Sequence, residues 1–450
     1  TDDCEAVARS VALVQEKAQS CRFQIPLYVA TDQEGGWIRH IKGTTSDTPG
    51  NLAIGASGYP MDAYYSGYYI GQELRAMGVN MNFAPTVDLY SNPQSTVIGP
   101  RSFGSDPDYG GVLSAAYSAG SMDAGVIPTA KHFPGHGDTE ADSHGKLPVI
   151  DISMETLKER ELVPFRYLIK EKIPAIMSAH LSFPQIVPNG EPASLSKTFL
   201  TDLLRNELGY EGLIITDDMM MNGATMYAGA LSSAVRMAIE AGNDIVISST
   251  TAQLNEALWT KNLSLMNTDS EFFNNVKKAA RRVIFSKLNY FKGENPVPLY
   301  PDVTKVSDLV PAPGSKEFFT AQACRSITLH HSDSFPYTPV EASSEKILVA
   351  AQFQEFFDEA HYKYENTSYY FFGYTLGPNE LAWHGERLAS MAKNYDTIII
   401  CVANEESSKV ASYLKDIGKK VILVSIMAPS FVLDYDWANT VLMAYSYSPY

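Results

Sequence analysis

Short, β-rich apolar runs alternate with longer amphipathic stretches through the first part of the chain, and this alternation constrains the fold most. It is the pattern of βα units wound around a parallel sheet. The runs at 26–30, 81–84, 127–130, 175–178, 213–216 and 244–248 read as strands, with helices between them, for example over 62–77 and 200–207. Each run is mostly apolar and lacks a two-residue alternation, as expected when both faces of a strand are buried.

What stands after these runs is more telling. Asp32 and Glu34 follow the first, Asp88 the second, Lys131 and His132 the third, His180 the fourth, and Asp217 with Asp218 the fifth. In α/β barrels the chemistry sits on the loops after the carboxyl ends of the strands. A helix cap or a turn explains any one of these residues as well; five consecutive strands ending this way point to a site. The expected architecture is therefore a (β/α)8-type, TIM-like barrel over 1–290. Six strands are legible where a closed barrel has eight, so the reading also allows an incomplete barrel.

A basic amphipathic helix over 272–290 ends this half. The stretch 291–315 is rich in Pro and Gly without periodicity and reads as a linker. Further runs at 326–330, 346–350, 397–402 and 420–424, with helices such as 405–417, make 316–450 a smaller doubly wound α/β sandwich domain. Neither a GxGxxG nor a GxxxxGK[ST] string occurs, so a nucleotide role has no support.

A length of 450 residues suits two such domains. With 35 Lys+Arg against 51 Asp+Glu, the net charge of −16 argues against a nucleic-acid partner. Cys4, Cys21, Cys324 and Cys401 are scattered, which suggests neither a disulfide framework nor a zinc ribbon. No apolar run reaches the 18 or so residues that span a bilayer. Thr1–Asp2–Asp3 is acidic where a signal peptide is basic. Both ends read as cut, so a leader could have been lost, and the compartment and oligomeric state stay open.

The densest segment is KHFPGHGDTEADSH at 131–144. Pro134, Gly135 and Gly137 make it a loop, and loops on rigid scaffolds are where catalytic residues concentrate. Within it, Asp142 lies two residues from His144. A carboxylate bonded to one ring nitrogen fixes the tautomer and raises the basicity of the other, which suits His144 to general acid/base work. His132 and His136, four apart with His144 near, also allow a metal site, although Pro134 and Gly135 break the helix such spacing would need. The string ending in Asp217–Asp218 places a carboxylate at a barrel mouth, as a nucleophile for a sugar's anomeric carbon requires; Asp218 alternatively caps the next helix. Asp32 and Glu34 on the Gly-rich turn 31–36, and Arg101 on the loop 97–104, look like substrate-holding groups.

Together, TDQEGG at 31–36, NFAPTVD at 82–88, IGPRSFGSDP at 98–107, KHFPGHGDTEADSH at 131–144, MSAH at 177–180 and ITDD at 215–218 resemble glycoside hydrolase family 3, nearest its bacterial β-N-acetylglucosaminidase branch. The resemblance implies a retaining, two-step reaction on peptidoglycan fragments or chitooligosaccharides. Asp217 matches the family nucleophile, and Asp218 does not. His144, oriented by Asp142, matches the acid/base. Asp32, Arg101, Lys131 and His132 match residues that hold the sugar. The resemblance implies neither a metal nor a cofactor. Trp37 stands where an Arg is common after EGG, a departure on the leaving-group side. A neutral imidazole does not repel an incoming anion, so phosphorolysis is the first alternative. The others are a metal-dependent hydrolase using His132, His136 and His144, and a non-catalytic sugar-binding protein.

Overall fold

The computed structural model describes residues 1–95, 97–139, 147–333, 336–337 and 344–446. The chain forms two compact units, one of Thr1–Gly55 with Tyr59–Phe319, the other of Ala56–Gly58 with Thr320–Tyr450.

In the first unit, strands β1 (Ala30–Thr31), β4 (Met81–Asn82), β5 (Ile127–Phe133), β6 (Ala175–Ser178), β7 (Leu213–Asp218) and β8 (Ile245–Ile247) form one parallel sheet in the order β1-β4-β5-β6-β7-β8. A short antiparallel pair, β2 (Gln33–Gly35) and β3 (Ile38–Arg39), follows β1. Sequential strands are thus spatial neighbours, as right-handed βαβ winding produces. All seven residues of β5 are buried, including the polar Lys131 and His132 at its end. The inner layer between the strands is filled by Met81, Ile127, Ala175, Leu213 and Ile215.

The incomplete barrel that the six legible runs allow is what forms among the described residues. The helix Ser270–Phe291 bonds to both margins of the sheet. On one side Lys287 Nζ donates to the Pro26 carbonyl at 2.7 Å and Tyr28 Oη meets Ser286 Oγ at 2.8 Å. On the other, Arg282 reaches Asp244, just before β8, at 3.0 Å. Val283 and Tyr290 from this helix pack against the inner layer.

The first strand is shorter than the run 26–30 suggests. Gln15 bonds both the N–H and the C=O of Leu27 at 2.9 Å, and Asn80 accepts from the Val29 N–H at 2.9 Å. Side chains therefore satisfy backbone groups that a longer strand would have paired. The helix expected over 200–207 spans Thr198–Glu207 and is wound as a π-helix. The stretch 291–315 also does more than connect: Val297, Val306 and Val310 are buried in the core that the N-terminal helix Cys4–Gln19 builds with Leu74 and Tyr117.

The second unit holds β9 (Thr328–Ser332), β10 (Ile347–Ala351), β11 (Thr367–Phe371), β12 (Thr397–Val402), β13 (Lys420–Ser425) and β14 (Thr440–Met443), ordered β11-β10-β12-β13-β14-β9. All neighbours pair in parallel except β14 and β9. The buried Leu348, Ile398, Ile400, Leu423 and Val441 pack against Leu388 and Val410 from the helices Pro378–Ala392 and Glu405–Ser412.

Candidate active site

The carboxyl ends of β1, β4, β5 and β7 surround a cavity of about 460 Å³, lined by Asp32, Glu34, Arg101, Lys131, His132, His136, Asp217 and Asp218 among others. A larger cavity, about 780 Å³, opens at the other ends of the strands; its lining includes Pro174, Gly212 and Phe285, holds one carboxylate, Glu211, and has no histidine. Only the first brings several ionisable groups together at the face where α/β barrels do chemistry.

One wall is a buried charge cluster. The last turn of β5 aims Lys131 at two carboxylates, Asp32 Oδ1 at 2.5 Å and Glu34 Oε1 at 2.6 Å. Arg101 closes a fork on Glu34, donating through Nε at 2.9 Å and Nη2 at 2.8 Å. Burial alone would raise the Glu34 pKa, but Arg101 and Lys131 outweigh it and hold the carboxyl ionised, well below the usual range. Lys131 is pushed the other way: burial disfavours its charge, and Glu34 and Asp32 more than restore it. The turn 31–36 thus divides its acids. Asp32 keeps a partly exposed side chain at the cavity, whereas Glu34 is sealed in as the counter-ion that seats Arg101 and Lys131.

The second wall is organised by Asp88. Its buried carboxylate accepts from the His136 N–H at 2.7 Å and the His132 N–H at 3.1 Å, and meets His132 Nδ1 at 2.6 Å. The Nδ1 contact leaves His132 Nε2 as the ring nitrogen available to the cavity it lines. Burial tends to raise the Asp88 pKa, but the His132 charge and hydrogen bonds lower it on balance.

Asp217, the last residue but one of β7, lines the same cavity. Burial pushes its carboxyl up, yet His132, His180, the Asp218 N–H and Lys131 outweigh burial, so it titrates below its ordinary value. Its Oδ1 accepts from the Asp218 N–H at 2.8 Å. His180, after β6, is held by Ser194 Oγ at 2.6 Å and donates from Nε2 to the Asp218 carbonyl at 3.1 Å. Asp218 caps no helix: its Oδ1 accepts from the Met220 and Ser249 N–H groups, each at 3.0 Å, tying the loop after β7 to that after β8.

Of the residues expected at the site, Asp32, Arg101, Lys131, His132 and Asp217 line this one cavity. Asp142 and His144 lie outside the described residues. Asp88 and His180 were visible as polar residues after strands but had no assigned task, and the structure gives them supporting ones; Glu34, expected to hold substrate with Asp32, is instead buried as the counter-ion of Arg101 and Lys131. Glu161 gave no signal. It sits in LKERE, a charged stretch that reads as a solvated helix face, yet it is buried beneath the loop, its Oε1 bonded to Arg160 at 2.6 Å while Arg160 also holds Asp138 at 2.6 Å. Among the described residues, no three His, Cys, Asp or Glu side chains converge as a set of metal ligands.

Residues 1–285 match the glycosyl hydrolase family 3 N-terminal domain. Beta-hexosaminidase A of Pseudoalteromonas piscicida is 40% identical over 251 residues, covering 52% of this chain and 42% of that protein. Beta-hexosaminidase of Thiobacillus denitrificans is 36% identical over 228 residues, 49% of this chain and 62% of its own length. The chain therefore spans less than two-thirds of these curated relatives. A solved glycoside hydrolase family 3 beta-N-acetylglucosaminidase from Paenibacillus sp. str. FPU-7 superposes with a TM-score of 0.84 at 28% identity, over 99% of this chain and 86% of that one.

Proposed function

The chain belongs to glycoside hydrolase family 3, and on that footing we propose that it is a retaining exo-β-N-acetylglucosaminidase that removes terminal N-acetylglucosamine from peptidoglycan fragments or chitooligosaccharides. One observation carries this reading: an ionised carboxylate, Asp217, faces a cavity that also holds Asp32, Arg101, Lys131 and His132. A carboxylate nucleophile must be ionised and must sit in a site that grips the sugar around its anomeric carbon.

In the first step Asp217 attacks C1, and the glycosidic oxygen leaves as it takes a proton from His144, the acid/base assigned by sequence with Asp142 as its orienting partner. A glycosyl–Asp217 ester and a neutral imidazole result. In the second step His144 takes a proton from water, the water oxygen bonds to C1 and Asp217 departs as carboxylate. Two displacements at C1 retain its configuration. Asp32, Arg101, Lys131 and His132 hold the sugar's hydroxyls, with Glu34 and Asp88 fixing the last three. The His–Asp pair stands where the usual template has a second carboxyl.

The test is a panel of 4-nitrophenyl glycosides, with and without phosphate, followed by mass spectrometry of quenched enzyme. The N-acetyl-β-glucosaminide should be cleaved to free N-acetylglucosamine, with one N-acetylhexosamine trapped on the peptide that contains Asp217. Full activity in Asp217→Ala would end the nucleophile assignment. A sugar 1-phosphate product would replace hydrolysis by phosphorolysis.

A further inference from the structure

The loop after β5 carries a group that the scheme above does not use. His136 is 3% exposed and lines the same cavity. Among the described residues neither of its ring nitrogens has a hydrogen-bond partner. Buried polar atoms are nearly always paired, so an imidazole with both nitrogens buried and unmet beside a cavity marks a place where a partner is missing. The ring is also held where it is. The His136 N–H is bonded to Asp88 at 2.7 Å, and a Cβ at Gly137 would come within 1.5 Å of the Leu89 carbonyl oxygen, so backbone packs on backbone there. Asp88 is committed to the His132 ring and to the loop N–H groups, and the two imidazoles meet edge to face with centroids 5.7 Å apart.

We propose that His136 is a further substrate-binding residue of this cavity, its ring hydrogen-bonding an uncharged polar group, a hydroxyl or the acetamido group, of the bound sugar. Burial and the neighbouring His132 push the ring down to about 4. It is therefore neutral in ordinary buffers and offers one N–H and one lone pair. That pair of functions matches a hydroxyl or an amide, each of which both gives and accepts; an anion would find only a single donor. The proposal rests on the glycosidase reading and names a contact of the same site.

His136→Leu removes both ring functions at similar bulk, and His136→Gln keeps a donor and an acceptor. With 4-nitrophenyl N-acetyl-β-glucosaminide, His136→Leu is expected to lose at least about tenfold in kcat/KM, chiefly through KM, while its Tm stays at or above that of the unsubstituted protein. His136→Gln should recover part of the loss. An equal loss on the corresponding glucoside places the partner among the hydroxyls; a loss confined to the N-acetylglucosaminide places it on the acetamido group. Unchanged kinetics in a folded His136→Leu protein would overturn the proposal. Should that variant fail to fold, 15N-histidine-labelled unsubstituted protein decides: the His136 ring resonances must move on saturation with N-acetylglucosamine, and resonances that stay put overturn the proposal. An unsubstituted protein that neither cleaves nor binds these sugars would instead sink the glycosidase reading itself.

Discussion

Glu34 decides whether the two cations lining the cavity, Lys131 and Arg101, can stay buried there. It is a buried carboxylate paired with two buried cations, and removing one member of such a set leaves charge without compensation. Glu34→Gln should therefore cost about 3–5 kcal/mol in urea unfolding and abolish activity with it. Asp32→Asn removes a partly exposed partner and leaves Glu34 in place, so it should keep most of the stability and raise KM; a stability loss equal to that of Glu34→Gln would contradict this division of labour. Glu161 makes a second residue-scale prediction. Burial, only partly opposed by Arg160, raises its carboxyl from 4.5 to about 7. Between those values the folded protein holds a proton that the unfolded chain has released, so the native state loses stability as pH rises through this window. Glu161→Gln has no such proton to lose. Its Tm relative to the unsubstituted protein should therefore climb between pH 5 and pH 8, by the equivalent of about 2–3 kcal/mol at most; a flat difference would place the titration elsewhere. These two acids also show what a sequence conceals. Lys131 and Asp217 were legible because motif and strand end coincide, and Arg101 because it stands in the string IGPRSFGSDP. Glu161 was not, because its burial is created by a loop some twenty-five residues earlier in the chain packing onto it, with a Cβ at Gly135 only 2.8 Å from the Glu161 Cβ.

At the scale of elements, one close packing joins two helices of the first unit. The helices Pro60–Ala76 and Pro107–Asp123 meet through glycines: a Cβ on Gly67 would lie 2.1 Å from the Tyr117 carbonyl oxygen, and one on Gly120 would lie 1.9 Å from that of Tyr64. Backbone cannot yield there as a side-chain tip does. Gly120→Ala should push the helices apart and cost at least the overpacking range, about 1–3 kcal/mol, measured by thermal or urea unfolding; a neutral Gly120→Ala would show that the helices slide without penalty. The alternation of strand and helix made the strand order of the barrel readable, because each strand there lies in a mostly apolar run and pairs with its neighbour in sequence. It failed for two strands of the second sheet, β11 at its edge and β14 between β13 and β9. β11 (TSYYF) and β14 (TVLM) were missed: the first has only Tyr370 fully buried, and the second is four residues long. The first barrel strand was overcounted for the opposite reason, since Gln15 and Asn80 capture its backbone from a distance no local pattern reveals. The segment 291–315 lacks periodicity because it contributes single valines to a core formed elsewhere, and isolated anchors leave no repeat to read.

For the chain as a whole, the charge balance bears on which glycan reaches the site. The formal net charge is −16, and the cations at the cavity are already spoken for: Lys131 by Asp32 and Glu34, Arg101 by Glu34. Long-range steering therefore opposes an anionic sugar chain and ignores a neutral one. The two substrate classes left open by the proposed function differ in this respect, since muramyl fragments carry carboxylates and chitooligosaccharides carry none. Raising ionic strength from about 0.01 M to about 0.15 M shortens the Debye length from about 30 Å to about 8 Å, which removes the far field and leaves contacts inside the buried site largely intact. KM for an anionic muramyl substrate should accordingly fall with added salt, while KM for chitobiose stays level and kcat moves for neither. A KM for the anionic substrate that rises with salt would mean that an attractive cationic approach exists despite the net charge, and it would favour the charged fragments as the ligand this surface is built to receive.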